Sequence, residues 1–238
     1  MVRRNVVAAL LAAGLLAGCT GDDGQDDAVD PTPTATDPQD LIDAAKVALD
    51  ETSSVRFVLT SAEVPSSGTV LLGGQGVIAR PDAFEGEIQI LLLGSQATIN
   101  LISVDGTVYA QLPFQSGYSE TDPDELGLRD PGTLIDPDTG LSQLLAAAED
   151  PVLGEEVRVD GEVLRELSAT LPGEVVGDLL ANADPSQDVP ATLAISADSG
   201  ELRRAVLTGP FYEAETDSTF TIVLDEYGAD VDITAPTD

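Results

Sequence analysis

Histidine is absent from the 238 residues, and cysteine occurs once, at Cys19. Without histidine there is no Ser-His-Asp or Cys-His catalysis and no His-ligated zinc, and a lone cysteine closes no intrachain disulfide. Tryptophan is missing too, and phenylalanine (5) and tyrosine (4) are few, so any large apolar face is mostly aliphatic. Cations are scarce: 10 Lys and Arg stand against 43 Asp and Glu, a formal charge of −33, with Lys46 the only lysine. Such a chain repels nucleic acid, whose binding needs cations against phosphates, and gains nothing electrostatically from anionic headgroups. The charge itself reads most simply as the acidic surface of a soluble exported domain. No apolar run reaches the ~20 residues that span a bilayer.

Several motifs fail on inspection. Gly73-Gly74-Gln75-Gly76 has no following lysine or helix signal and is no phosphate loop, and no G-x-S-x-G occurs. Asp136-Pro137-Asp138-Thr139-Gly140 has Gly140 where a calcium loop needs its third ligand, with no Glu at the required spacing. No catalytic, metal or cofactor site is expected. The one enzymatic option left, a carboxylate pair acting on glycans, has only the abundance of acids behind it.

What is present is a processing signal. Arg3 and Arg4 precede an apolar stretch from Val6 to Leu16, and Leu16-Ala17-Gly18 leads into Cys19. This is the pattern of a lipoprotein signal peptide, residues 1–18, cut before a cysteine that becomes the lipidated N-terminus. A diacylglyceryl group supplies the two chains that stable anchoring requires, which places the protein on the outer face of the cytoplasmic membrane, in the cell envelope. Residues 19–36, with Asp22, Asp23, Asp26, Asp27 and Asp30 before Pro31-Thr32-Pro33-Thr34, are too polar to bury a core. They read as a tether of at most ~60 Å.

One α+β domain is expected over residues 37–238. Asp37-Pro38 caps a helix with Leu41, Ile42, Ala45, Ala48 and Leu49 on one face. Val55, Phe57 and Leu59 then alternate as a strand, and Thr69 to Ala79 forms a second. Between Gly86 and Leu112, the residues Ile88, Ile90, Leu92, Ala97, Ile99, Leu101, Val108, Ala110 and Leu112 fall on one face of an antiparallel meander. Ser116 to Leu134 reads as a long connection. A second helix is predicted from Asp136-Pro137, striped by Leu141, Leu144, Leu145 and Ala148. A hairpin follows over Val157 to Leu171, turning at Asp160-Gly161. Pro172 opens a third helix with Val175, Val176, Leu179 and Leu180. Two further hairpins are predicted, Ala191–Ala197 with Leu202–Thr208, and Thr219–Leu224 with Val231–Thr234. Periodicity leaves two readings of the meander face open: a plain core closed by helices, or the wall of an apolar hollow for an acyl ligand.

Three strings, Val104-Asp105-Gly106-Thr107-Val108-Tyr109-Ala110, then Asp130-Pro131 through Ile135-Asp136-Pro137-Asp138-Thr139-Gly140-Leu141, then Val189-Pro190-Ala191-Thr192-Leu193-Ala194-Ile195, resemble the actinobacterial lipoprotein family of LppX, LprA, LprF and LprG. Within that family LprG is the nearest likeness. The resemblance implies a strongly curved antiparallel sheet, a half-barrel, with helices over its concave face enclosing an apolar cavity. It implies a non-enzymatic carrier of di- or triacyl lipids, triacylglycerol or glycolipids, moved from the cytoplasmic membrane toward the outer envelope. The implied partner is a membrane exporter of the major facilitator type. Ile88 corresponds to a lining position of the family, and Ile88, Ile90, Leu92, Ile99, Leu101, Val108, Ala110 and Leu112 become the expected lipid-binding wall. The scarcity of lysine is a departure from the mycobacterial members. The rival expectation is a structural or sensory envelope lipoprotein without lipid cargo.

Overall fold

The computed structural model describes residues 37–92, 94–126, 128–180 and 183–237; the signal, Cys19 and the tether lie outside them. Three helices, α1 (Pro38–Glu51), α2 (Leu141–Ala146) and α3 (Gly173–Leu179), accompany a single eleven-stranded sheet. The strands are β1 (Ser54–Ala62), β2 (Val70–Ala79), β3 (Ala83–Leu92), β4 (Ser95–Val104), β5 (Thr107–Gln111), β6 (Ser119–Glu120), β7 (Glu149–Val159), β8 (Glu162–Leu171), β9 (Val189–Ser196), β10 (Leu202–Glu213) and β11 (Thr216–Asp225). Their spatial order is β6-β5-β4-β3-β2-β1-β11-β10-β9-β8-β7, with every neighbouring pair antiparallel and the ends unjoined. Two meanders are thus sewn together along β1 and β11, the first and last strands of the chain.

α1 starts where Asp37 accepts a hydrogen bond from the Gln39 amide at 3.0 Å, with Pro38 as the first helical residue. Its apolar stripe, Ile42, Ala45 and Leu49, is buried completely or almost so, against α2 and strands β7, β9 and β10. At its C-terminal end the Arg80 guanidinium donates to the carbonyls of Leu49 (2.9 Å) and Thr52 (2.8 Å), satisfying acceptors the helix leaves open. The core lies on the helix-bearing face of the sheet. Residues paired across neighbouring strands share a face, so Phe57–Gly76–Gly86–Leu101–Ala110 and Leu59–Gly74–Ile88–Ile99 each form a row across it. The opposite face carries polar pairs such as the ion pair Arg56–Asp225 and the hydrogen bond from Gln75 to Glu87.

Three sequence expectations are corrected. The second helix begins at Leu141, not at Asp136-Pro137, because Asp136 closes a turn first: its carboxylate accepts from the amides of Asp138 and Thr139, both at 2.9 Å, and from the Thr139 hydroxyl. The connection after Ser116 is not featureless; it holds β6 and two 3₁₀ turns, Pro123–Leu126 and Pro131–Ile135. Val231–Thr234 forms no strand. Both edges of its expected partner β11 are occupied, by β10 and β1. The chain therefore leaves the sheet at Glu226, with the Gly228 amide donating to the Ser54 carbonyl and the Ser54 hydroxyl to the Ala229 carbonyl.

Candidate functional site

An apolar cavity of about 120 Å³ lies between the centre of the sheet and its covering elements. Its floor comes from β1 (Phe57, Leu59), β2 (Leu71, Gly74, Ile78), β3 (Phe84, Ile88), β4 (Leu101), β10 (Leu207) and β11 (Phe220, Ile222). Its roof comes from the 128–134 segment (Leu128, Arg129, Pro131, Leu134), α2 (Leu141, Leu144) and the end of α3 (Leu179, Leu180). Apart from Arg129, every described residue on the wall is apolar, proline or glycine. Among the described wall residues there is neither a nucleophile nor a carboxylate. Among the described residues no three Asp or Glu side chains converge as a metal site.

The glycines rejected above as a phosphate loop turn out to shape this floor. Gly76 and Gly86 face each other across β2 and β3, and the Phe84 ring lies over both. A Cβ on Gly76 would sit 2.6 Å from that ring, and one on Gly86 would be 2.2 Å from the Gln75 carbonyl oxygen. Phe84 is fully buried and packs against Phe57 with ring centroids 5.7 Å apart. Next along β2, Gly74 opens onto the cavity, where a Cβ would come within 3.3 Å of the Ile88 side chain. The glycine run lowers the floor at the centre of the sheet.

The roof is pinned at a few polar points. Asp130 accepts from the Gly132 amide (2.9 Å) and from the Ser103 hydroxyl (2.6 Å), holding the second 3₁₀ turn onto β4. Gly132 is required there, since a Cβ would lie 2.5 Å from the Asp82 carbonyl oxygen. At the base of α2, the Asp136 carboxyl is held below its usual range by the Asp138 amide first, then, against burial, by Thr139. A second void of about 20 Å³ lies behind α2, and Leu141, Leu144, Leu207 and Ile222 line both spaces.

Of the eight expected wall residues, Ile88 and Leu101 line the cavity. Ile90, Ile99, Val108 and Ala110 lie on the same face but are packed into the surrounding core, and Leu112 is partly buried against it. Leu92 lies in β3, with its side chain outside the described part of the structure. The cavity is centred on β2, β1 and β11, whereas most of the expected wall belongs to β3–β5, one wing of the sheet that the second 3₁₀ turn packs against. The residues missed, Phe57, Leu59, Leu141, Leu144, Leu179 and Leu180 among them, each carried an alternation or helical stripe in the sequence. What was invisible was that β1 and β11 meet at the centre.

The sequence profile of the LppX_LprAFG lipoprotein family matches residues 37–233. The chain belongs to this family. The match starts at the α1 cap and ends past β11, so it covers the whole sheet, the cavity and its roof. A relative from Mycobacterium tuberculosis bears the name lipoarabinomannan carrier protein LprG; it is 26% identical over 234 residues, covering 97% of this chain and 93% of its own. Two solved structures share the fold: LprF from Mycobacterium bovis (TM-score 0.66, 18% identity, 84% of this chain and 97% of that one) and LppX from Mycobacterium tuberculosis (TM-score 0.61, 17% identity, 83% and 98%). The open eleven-stranded sheet with helices over one face is therefore the family's architecture. No helix among the described residues is long and apolar enough to cross a membrane.

Proposed function

We propose that this lipoprotein is a non-enzymatic carrier that shields the acyl chains of lipids or glycolipids in its cavity. In this reading it is anchored through Cys19 to the outer face of the cytoplasmic membrane. The single observation behind the proposal is an enclosed apolar space whose described wall offers one charged group and no reactive one. Burying acyl methylenes there contributes about 0.8 kcal/mol each, so capture needs neither base nor metal. The family relative named a lipoarabinomannan carrier supports the same reading. Cargo would travel toward the outer envelope and pass to a membrane exporter of the major facilitator type.

At about 120 Å³ the cavity is smaller than the ~150 Å³ void that takes a single benzene. Loading an acyl chain therefore requires the roof to move outward. α2 and α3 have six and seven residues, too short to be stable without their packing, and their apolar contacts transfer readily to acyl methylenes. The small volume also favours the rival reading, an envelope lipoprotein whose inner sheet face is ordinary core. Native mass spectrometry of the protein purified with its anchor separates the two. A stoichiometric non-covalent lipid, lost in Ile88→Trp while the variant stays folded, is expected. A bare mass, with no thermal shift on adding diacyl or triacyl lipids, establishes the rival.

A further inference from the structure

We propose that Arg129, at the cavity mouth, reads the headgroup of the cargo, selecting acyl lipids with a single phosphodiester over neutral acylglycerols and over polyanionic headgroups. This rests on the carrier reading of the cavity. Arg129 is the only charged side chain on the described wall, yet its side chain is 48% exposed, so it runs from the apolar interior to solvent. Its one ion pair among the described residues is loose: 3.9 Å to Asp124, whose own side chain is 71% exposed. Every other described arginine, and Lys46, has a carboxylate or carbonyl oxygen within 3.1 Å. In a chain of charge −33, the one loosely held cation among the described residues stands where acyl chains would enter.

The chemistry of that position is specific. A guanidinium presents a planar fork that meets two phosphate oxygens at once. The adjoining Leu128 and Pro131 line the cavity with it, and an ion pair formed beside an apolar wall is stronger than one in open water. With the chains in the cavity, a phosphodiester one glycerol away sits at the level of the guanidinium, which leaves Asp124 to reach it. A neutral acylglycerol offers nothing to the fork. A second or third negative charge meets the Asp124 carboxylate, which already faces the guanidinium. The mouth therefore accepts one negative charge.

The test uses the intact protein in dodecyl maltoside micelles holding equal amounts of phosphatidylglycerol, diacylglycerol and phosphatidylinositol bisphosphate, with native mass spectrometry counting each adduct. Phosphatidylglycerol is expected to exceed diacylglycerol by roughly five-fold, the upper range for a half-exposed ion pair. Arg129→Gln should bring the two to parity through loss of phosphatidylglycerol adduct, and Asp124→Asn should widen the preference. Equal loading of both lipids in the wild type, or a preference that survives Arg129→Gln, overturns the role of Arg129 and leaves the carrier intact. Dominant loading of the bisphosphate overturns the single-charge rule. No adduct of any kind in the wild type removes the carrier reading itself.

Discussion

Among single residues, the glycines of β2 and β3 show how a cavity is made by leaving atoms out. Sheets gain stability from cross-strand side-chain pairs, and a Gly–Gly pair forgoes that contribution. Here Gly76 and Gly86 spend it on room for one ring, and the fully buried Phe84 closes the deep end of the cavity over them. Gly86→Ala is the sharper probe, because its Cβ would be 2.2 Å from a backbone oxygen that no rotamer change can move. A loss of about 1–3 kcal/mol is expected, the usual cost of overpacking a core, read as a lower urea midpoint at unchanged slope. An unchanged midpoint would mean that the two strands separate without penalty. In the sequence Gly76 stood out only within a rejected phosphate loop, and alternation put Phe57, Ile88 and Leu101 on an inner face. It could not show that Phe84 would lie across two of the glycines, since that depends on the register of β2 on β3.

Single elements show the same division between local and distant information. The α1 cap, the meander and the hairpin β9–β10 are local, and alternation with turn residues was enough to place them; of β7 it marked only Val157–Val159, because the strand is exposed along most of its length and does not alternate. The pairing of β1 with β11 joins Arg56 to Asp225 and Leu59 to Ile222, across most of the domain. Nothing in either strand's own pattern announces that partner, and this is why Val231–Thr234 looked like the natural mate for β11. The same gap moved the expected wall onto β3–β5. α2 was recognised by its stripe, yet its role as a partition was not, because Leu141 and Leu144 face two voids only once β10 and β11 are in place. Leu144→Ala should join the 120 Å³ and 20 Å³ spaces into one. It should also destabilise the fold by about 2–5 kcal/mol through lost burial and the added void. Bound diacyl lipid is expected to restore more of the variant's melting temperature than of the wild type's, since ligand then fills the new space. Equal thermal shifts in both proteins would show that α2 does not divide the lipid site.

For the whole molecule, the question is what holds together a chain of charge −33. Self-repulsion opposes compactness, and acidification relieves it as exposed carboxylates take up protons, so any loss of stability in acid must come from carboxylates that the fold needs ionised. Among the described residues four are held below their ordinary range: Asp50, against burial, by Lys46 and Ser142, Asp136 by the Asp138 amide first and Thr139 after it, Glu162 by the Ser196 hydroxyl first and then, against burial, by Arg203, and Asp184 by the Ser186 hydroxyl and amide and by Gln187. A carboxyl whose folded pKa is depressed contributes stability fully above its unfolded value, about 4, and loses that contribution as pH falls through the folded value. The melting temperature should therefore hold between pH 7 and 5 and decline below about 4, in spite of the shrinking net charge. Asp136 isolates the effect at the base of the cavity roof, where its carboxylate closes the turn into α2. Asp136→Asn keeps an acceptor oxygen but removes the charge, so the variant should melt below the wild type at pH 7, and the gap should narrow as pH falls below about 4. A gap that stays constant across that range would assign the turn's stability to geometry alone and leave the acid sensitivity with Asp50, Glu162 and Asp184. A narrowing gap would mean that the roof, and with it access to the cavity, loosens in acid before the doubly paired sheet centre does.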